Sequence, residues 1–174
     1  MRWAQIRELD ISNGKGIGIA LFTQGCPFHC FNCFNPETWD FDKGNEWTEE
    51  VQKDFLKLAE RPYIDRISFL GGEPLAEQNT KELLILVKAL KDSFPTKKIW
   101  LYSGFTFEKI FNSTEETFLV RQQILSYDDI LVDGQYIDDL KDYSLRFRGS
   151  SNQRIIDVKK TLSNEDKAIV LYED

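Results

Sequence analysis

The sequence predicts an α/β fold, a partial, open TIM-like barrel of about five or six βα units with mostly parallel strands. Three observations predict it. Short β-like runs alternate with helix-like ones, the order that yields a parallel sheet with helical, right-handed crossovers. The chain has 174 residues, whereas a complete eight-unit barrel takes about 250. The chemically suggestive segments all follow predicted strands, which gathers them at the sheet edge where ligand sites of open sheets and barrels collect.

The elements run in order. "IGIALF" (Ile17 to Phe22) is an apolar run of strand length. "TEEVQKDFLKLAE" (Thr48 to Glu60) is a helix: Thr48 can cap it, acids fill its first turn, and Val51, Phe55 and Leu58 share a face. "RISFL" (Arg66 to Leu70) is a second strand. "NTKELLILVKAL" is a second helix, with Asn79 and Glu82 at capping-box spacing. "KIWLYSG" (Lys98 to Gly104) is a third strand, Glu115 to Leu125 a helix, and "DILVDG" (Asp129 to Gly134) a fourth strand. "RIIDV" (Arg154 to Val158) and "KAIVLY" (Lys167 to Tyr172) can each be strands. No repeat, low-complexity tract or Pro/Gly/Ser-rich linker interrupts residues 1–174, so one domain is expected.

Composition narrows the function. Apolar residues make up 41% and aromatics 13%, as a globular core requires. The formal charge is −7. Phosphate backbones reward dense Lys and Arg, so nucleic acid is not an expected partner. No run of about 18 apolar residues occurs, so no membrane span is expected. No apolar core of signal-peptide length follows the charges of "MRWAQIRELD". A cytoplasmic location is the expectation, and there a tight thiol cluster points to metal or redox chemistry more than to disulfides.

That cluster is "GCPFHCFNC". Cys26, Cys30 and Cys33 are the only cysteines in the chain. Three readings stand open. The thiols can pack as small hydrophobes, although three in eight residues beside Pro27 are hard to explain so. They can hold structural zinc, with His29 as the fourth ligand, strained because His29 lies between two of them. They can hold an iron–sulfur cluster, in which three thiolates leave one iron open to a substrate, the logic of catalytic metal sites. Downstream, "SFLGGEP" places Gly71 and Gly72, which allow close backbone approach, beside the carboxylate of Glu73. An ordinary strand-to-helix turn has the same composition.

The Cys-x-x-x-Cys-x-x-Cys spacing resembles the signature of the radical S-adenosylmethionine superfamily, and "GGEP" after the second strand strengthens the likeness. A finer resemblance, over nearly the whole chain, is to the activating proteins of anaerobic ribonucleoside-triphosphate reductases. "LFTQGCPFHCFNCFNPETWDF", with its Asn35 to Trp39 tail, "IWLYSGFTFE" and "DILVDGQYIDDLKDYSLRFRGSSNQRIIDV" carry it. Two positions depart. Asn32 stands where many superfamily members have an aromatic, which here follows as Phe34, and "SNGKG" (Ser12 to Gly16) replaces the family's Asp-Gly-Pro-Gly.

The resemblance implies a 4Fe–4S cluster held by Cys26, Cys30 and Cys33, with S-adenosylmethionine at its open iron. Reductive cleavage would give a 5′-deoxyadenosyl radical, which would take a hydrogen from one glycine Cα in the large reductase subunit. It implies that Asn32, Cys33 and Phe34 lie beside S-adenosylmethionine, Phe34 near the adenine. Gly71, Gly72 and Glu73 would face its methionine end, and Ser103 the ribose. A reduced flavodoxin-like protein would be the electron donor. Arg148 and the "GSSNQR" run would touch the ligand or the reductase, or make ordinary surface contacts. Asp133 is a carboxylate at the site edge or a turn residue. Trp39, Trp47 and Trp100 are core residues or partner contacts. An activase for another glycyl-radical enzyme, or a non-catalytic iron–sulfur or zinc module, are the competing functions.

Overall fold

The computed structural model describes residues 1–166 and 168–173. Among the described residues, seven strands form one open sheet: β1 (Arg2–Asp10), β2 (Gly18–Thr23), β3 (Asn45–Glu46), β4 (Arg66–Gly71), β5 (Lys98–Ser103), β6 (Ile130–Asp133) and β7 (Arg154–Asp157). Their order is β3-β1-β2-β4-β5-β6-β7. The four central strands β2, β4, β5 and β6 are parallel, and β1, β3 and β7 pair antiparallel.

Among the described residues, five helices complete the fold: α1 (Glu49–Glu60), α2 (Glu77–Ser93), α3 (Phe107–Phe111), α4 (Glu116–Tyr127) and α5 (Val158–Ser163). Strand alternation sorts the core. Ile19, Leu21, Ile67, Phe69, Ile99, Leu101 and Leu131 join the helices in the main apolar cluster. Ala20, Phe22 and Leu70, with Trp100, Ile130 and Val132, form two smaller clusters on the other sheet face. The central strands are buried on both sides, which is why they read as unbroken apolar runs.

The helix signals hold with adjustments. The Thr48 hydroxyl accepts the Val51 N–H at 3.3 Å and caps α1. The second helix starts three residues earlier than its capping-box spacing suggests, with Ala76 and not Asn79 at its N-cap position. Asn79 is buried, and its amide donates to the Gln24 and Glu73 carbonyls, so tertiary partners replace the cap. The predicted helix around Glu115 resolves into α4, preceded by the short α3.

The sheet departs from the expected run of βα units at both sides. β1 carries no strand signal in the sequence: it is a charged, half-buried strand whose register shifts twice, between Trp3 and Gln5 and between Arg7 and Asp10. Those shifts erase the alternation that marks a strand. β7 runs antiparallel because the chain from Gly134 to Gln153 contains no crossover helix, only a short 3-10 turn. It stays at the edge where β6 ended and re-enters from there. Four parallel strands result, fewer than the five or six units expected. Of the predicted terminal strand, Lys167 lies outside the described residues; Leu171 forms a single bridge to Ile156, flanked by backbone bonds to Asp157 and Ile155.

Candidate functional site

The C-terminal ends of β2, β4, β5 and β6 open onto a cavity of about 450 Å³, a size typical of small-molecule sites. Cys26, Cys30 and Cys33 line it together with Gly71, Gly72 and Glu73. All three cysteines are free thiols. Each is preceded by a residue with positive φ: Gly25 at 91°, His29 at 47° and Asn32 at 54°. Glycine tolerates that region, and Asn and His do so better than most residues. The loop therefore turns sharply before every thiol. This accounts for Asn32 where an aromatic was anticipated, and it gives His29 a backbone role. The His29 ring packs on Trp39 at 4.9 Å.

Backbone N–H groups point at the sulfurs. Cys33 Sγ accepts from the Asn35 N–H at 3.4 Å. Cys26 is approached by the N–H groups of Phe28 and His29, and Cys30 by that of Tyr136. Burial nevertheless pushes the Cys26 thiol up to about 11, and Cys30 is also raised, by burial first and then by the neighbouring Cys33. Without a cation these groups stay protonated; a bound metal makes them thiolates. Among the described residues, no three His, Cys, Asp or Glu side chains are gathered closely enough for a single metal ion. Three thiols lining one cavity would serve a group of several irons, one thiolate to each of three irons.

The second loop is stitched to the first. Gly72 N donates to the Thr23 carbonyl at 2.9 Å and Glu73 N to the Gly25 carbonyl at 2.8 Å. A Cβ on Gly72 would lie 2.5 Å from the Gly25 oxygen and 3.0 Å from that of Thr38. The close approach that this glycine permits is thus to the cysteine loop itself.

A family model described as a 4Fe-4S single cluster domain matches residues 12–156. Relatives named anaerobic ribonucleoside-triphosphate reductase-activating protein match nearly end to end. The Salmonella typhi protein is 36% identical over 155 residues, 88% of this chain and 96% of that protein. The Vibrio cholerae serotype O1 protein is 34% identical over 157 residues, 89% and 97% of the two chains. The Enterobacteria phage T4 protein is 35% identical over 155 residues, 89% and 93%. This chain belongs to the family of anaerobic ribonucleoside-triphosphate reductase-activating proteins.

In this family member, Glu73 is turned inward. The residue is 1% exposed, and its carboxylate accepts from Leu75 N at 2.8 Å, the Ser103 hydroxyl at 2.9 Å and Gly104 N at 2.7 Å. Burial raises its pKa to about 7, against the pull of those three donors. Glu73 therefore braces the β4 end against the β5 end. Ser103 lines the cavity, but its one hydroxyl hydrogen is committed to Glu73. Phe34 lines the cavity, half-exposed, with its ring 5.1 Å from that of Tyr136. Asn32 turns outward, and its amide donates to Asp138 at 2.9 Å, joining the cysteine loop to the segment after β6.

That segment supplies residues that no sequence signal singled out. Tyr136, Tyr143 and Phe147 line the cavity with Arg148, which donates to the Gln153 carbonyl at 2.8 Å. The Gln153 side chain accepts from Gly149 and Ser150 and donates to the Gly134 carbonyl. The "GSSNQR" run is thus a knot that shapes the loop. Asp133 faces the Phe107 N–H and Arg154, which also pairs with Glu108. It anchors α3 and β7, and it is not part of the cavity wall. Trp47 and Trp100 are buried in core clusters. Arg7, whose guanidinium lies 4.4 Å over the Phe22 ring, lines the far end; it was illegible because β1 was.

Among the described residues, no helix is long and apolar enough to cross a membrane.

Proposed function

We propose that this chain activates an anaerobic ribonucleoside-triphosphate reductase, using a 4Fe–4S cluster held through Cys26, Cys30 and Cys33 and S-adenosylmethionine bound in the adjoining cavity. The observation that carries this proposal is one cavity lined at once by three free thiols and by the Gly71–Glu73 loop. Held there, the cluster would supply the electron for reductive cleavage of S-adenosylmethionine, the chemistry that hydrogen abstraction from a glycine Cα of the reductase requires.

The chain's own residues position and enclose. The positive-φ turns present Cys26, Cys30 and Cys33 to one cavity, where their three thiols would hold the cluster. Phe34, beside Tyr136, is a platform for the adenine. The backbone of Gly71 and Gly72 faces the methionine end. Glu73 and Ser103 hold the shape of that end as a hydrogen-bonded pair. Asn32 secures the cysteine loop to the covering segment at residues 134–153. Arg148 offers a cation beside the cavity for a carboxylate of the cofactor or for the reductase loop. A reduced flavodoxin-like protein fits as electron donor. The four parallel strands, with all five helices packed on one face, fit a shortened barrel within a single cytoplasmic domain.

The test is direct. Anaerobically reconstituted protein, mixed with the reductase, S-adenosylmethionine and a reductant, is expected to produce a glycyl radical by electron paramagnetic resonance. Cys30→Ala is expected to lose cluster and radical while its circular dichroism is kept. Undiminished S-adenosylmethionine cleavage by that variant overturns the proposal.

A further inference from the structure

We propose that the Trp39 indole N–H donates a hydrogen bond to a sulfur of the bound cluster, sulfide or thiolate, and thereby raises the cluster's reduction potential. This inference rests on the iron–sulfur reading of the cavity. It concerns a residue that neither the cysteine motif nor the glycine loop includes.

Trp39 is built into the cysteine loop. It follows a short 3-10 turn, Pro36–Thr38, and its N–H bonds the Pro36 carbonyl at 3.3 Å. Its own carbonyl accepts the Cys26 N–H at 3.0 Å, and the Thr38 carbonyl accepts that of Gly25 at 2.8 Å. Its ring lies against His29, and the residue lines the cavity with all three cysteines. These contacts hold the side chain in the wall of the cavity that the three thiols also line.

Its N–H is nonetheless an orphan. Trp39 Nε1 is buried and has no hydrogen-bond partner. Other tryptophans here are served: Trp3 Nε1 donates to the Glu46 carbonyl and Trp47 Nε1 to Gln52, both at 3.3 Å. Buried donors without an acceptor are rare, and each calls for an explanation. Among the described residues, the other orphaned side-chain atoms belong to Arg66, Tyr102 and Asp128, none of them in the cysteine loop. An acceptor delivered with the cofactor resolves the Trp39 case. Cluster sulfurs are such acceptors, and the backbone N–H groups already aimed at Cys26, Cys30 and Cys33 follow the same pattern.

The sign follows from charge. Reduction adds an electron to the cluster, so a donor at sulfur favours the reduced form and raises the potential. Trp39→Phe keeps an aromatic ring and deletes the N–H. The expected shift is about tenfold toward the oxidised form at a fixed potential, or about 59 mV lower for a one-electron couple.

The experiment is a dye-mediated redox titration of reconstituted wild type and Trp39→Phe, with iron, sulfide and S-adenosylmethionine affinity measured on the same samples. Equal iron and sulfide with a lowered potential supports the inference. Equal iron and sulfide with an unchanged potential overturns it, and does so too if S-adenosylmethionine affinity falls, since the donor would then face that ligand. A wild type that takes up no iron and sulfide refutes the underlying iron–sulfur assignment instead. If Trp39→Phe fails to load, pulsed electron–nuclear spectroscopy of the reduced wild-type cluster, with tryptophan labelled at the indole nitrogen, decides. A hyperfine coupling to that nitrogen or its proton supports the inference, and its absence overturns it.

Discussion

Glu73→Gln isolates the energetic consequence of burying a carboxyl group between the β4 and β5 ends. The wild-type group accepts three hydrogen bonds, yet burial outweighs them and raises its pKa from 4.5 to about 7. A raised folded-state pKa means that, between those two values, the folded chain binds more protons than the unfolded chain. Stability from this group is therefore fully present below 4.5 and is lost as pH rises through about 7. The shift corresponds to about 3 kcal/mol in all, most of it lost between pH 5 and 7. Gln has nearly the same shape and does not titrate. The stability difference, wild type minus Glu73→Gln, is expected to fall by about that amount between pH 5 and 8. Urea unfolding of both proteins before cluster loading measures it, and groups common to the two cancel. A difference that stays flat, or that grows with pH, would refute the reasoning, because the three donors would then dominate and hold the carboxylate ionised.

Two further substitutions probe the loops and the core. Gly72→Ala sets a methyl group 2.5 Å from the Gly25 oxygen, where only backbone can yield; a destabilisation of about 1–3 kcal/mol and a fall in reconstituted iron, with far-ultraviolet dichroism retained, are expected. Asp128 is fully buried with neither oxygen partnered, and burial, reinforced by Asp129, holds its pKa well above the usual carboxylate range. Asp128→Asn should stabilise the chain by on the order of 1 kcal/mol at pH 8 and progressively less toward pH 5, read by thermal unfolding; equal melting shifts at both pH values would contradict this.

The amino-acid sequence by itself determined the parallel centre of the sheet and the thiol set. Apolar runs bounded by turns and helical periodicity are local signals, so β2, β4, β5 and β6 with α1, α2 and α4 were legible. So were Cys26, Cys30 and Cys33, because their chemistry depends on residue type and spacing. Tertiary structure decided the rest. The charges and bulges of β1 hide its strand character, and it pairs only because β2 lies beside it. β7 turned antiparallel because its connection carries no helix. That same connection holds Tyr136 and Arg148 over the cavity, a placement set by contacts between residues more than 100 positions apart, such as Asn32 with Asp138. The direction in which Glu73 points was equally unreadable: its partners Ser103 and Gly104 come from another strand end, and only packing brings Ser103, 30 positions along the chain, back to meet it.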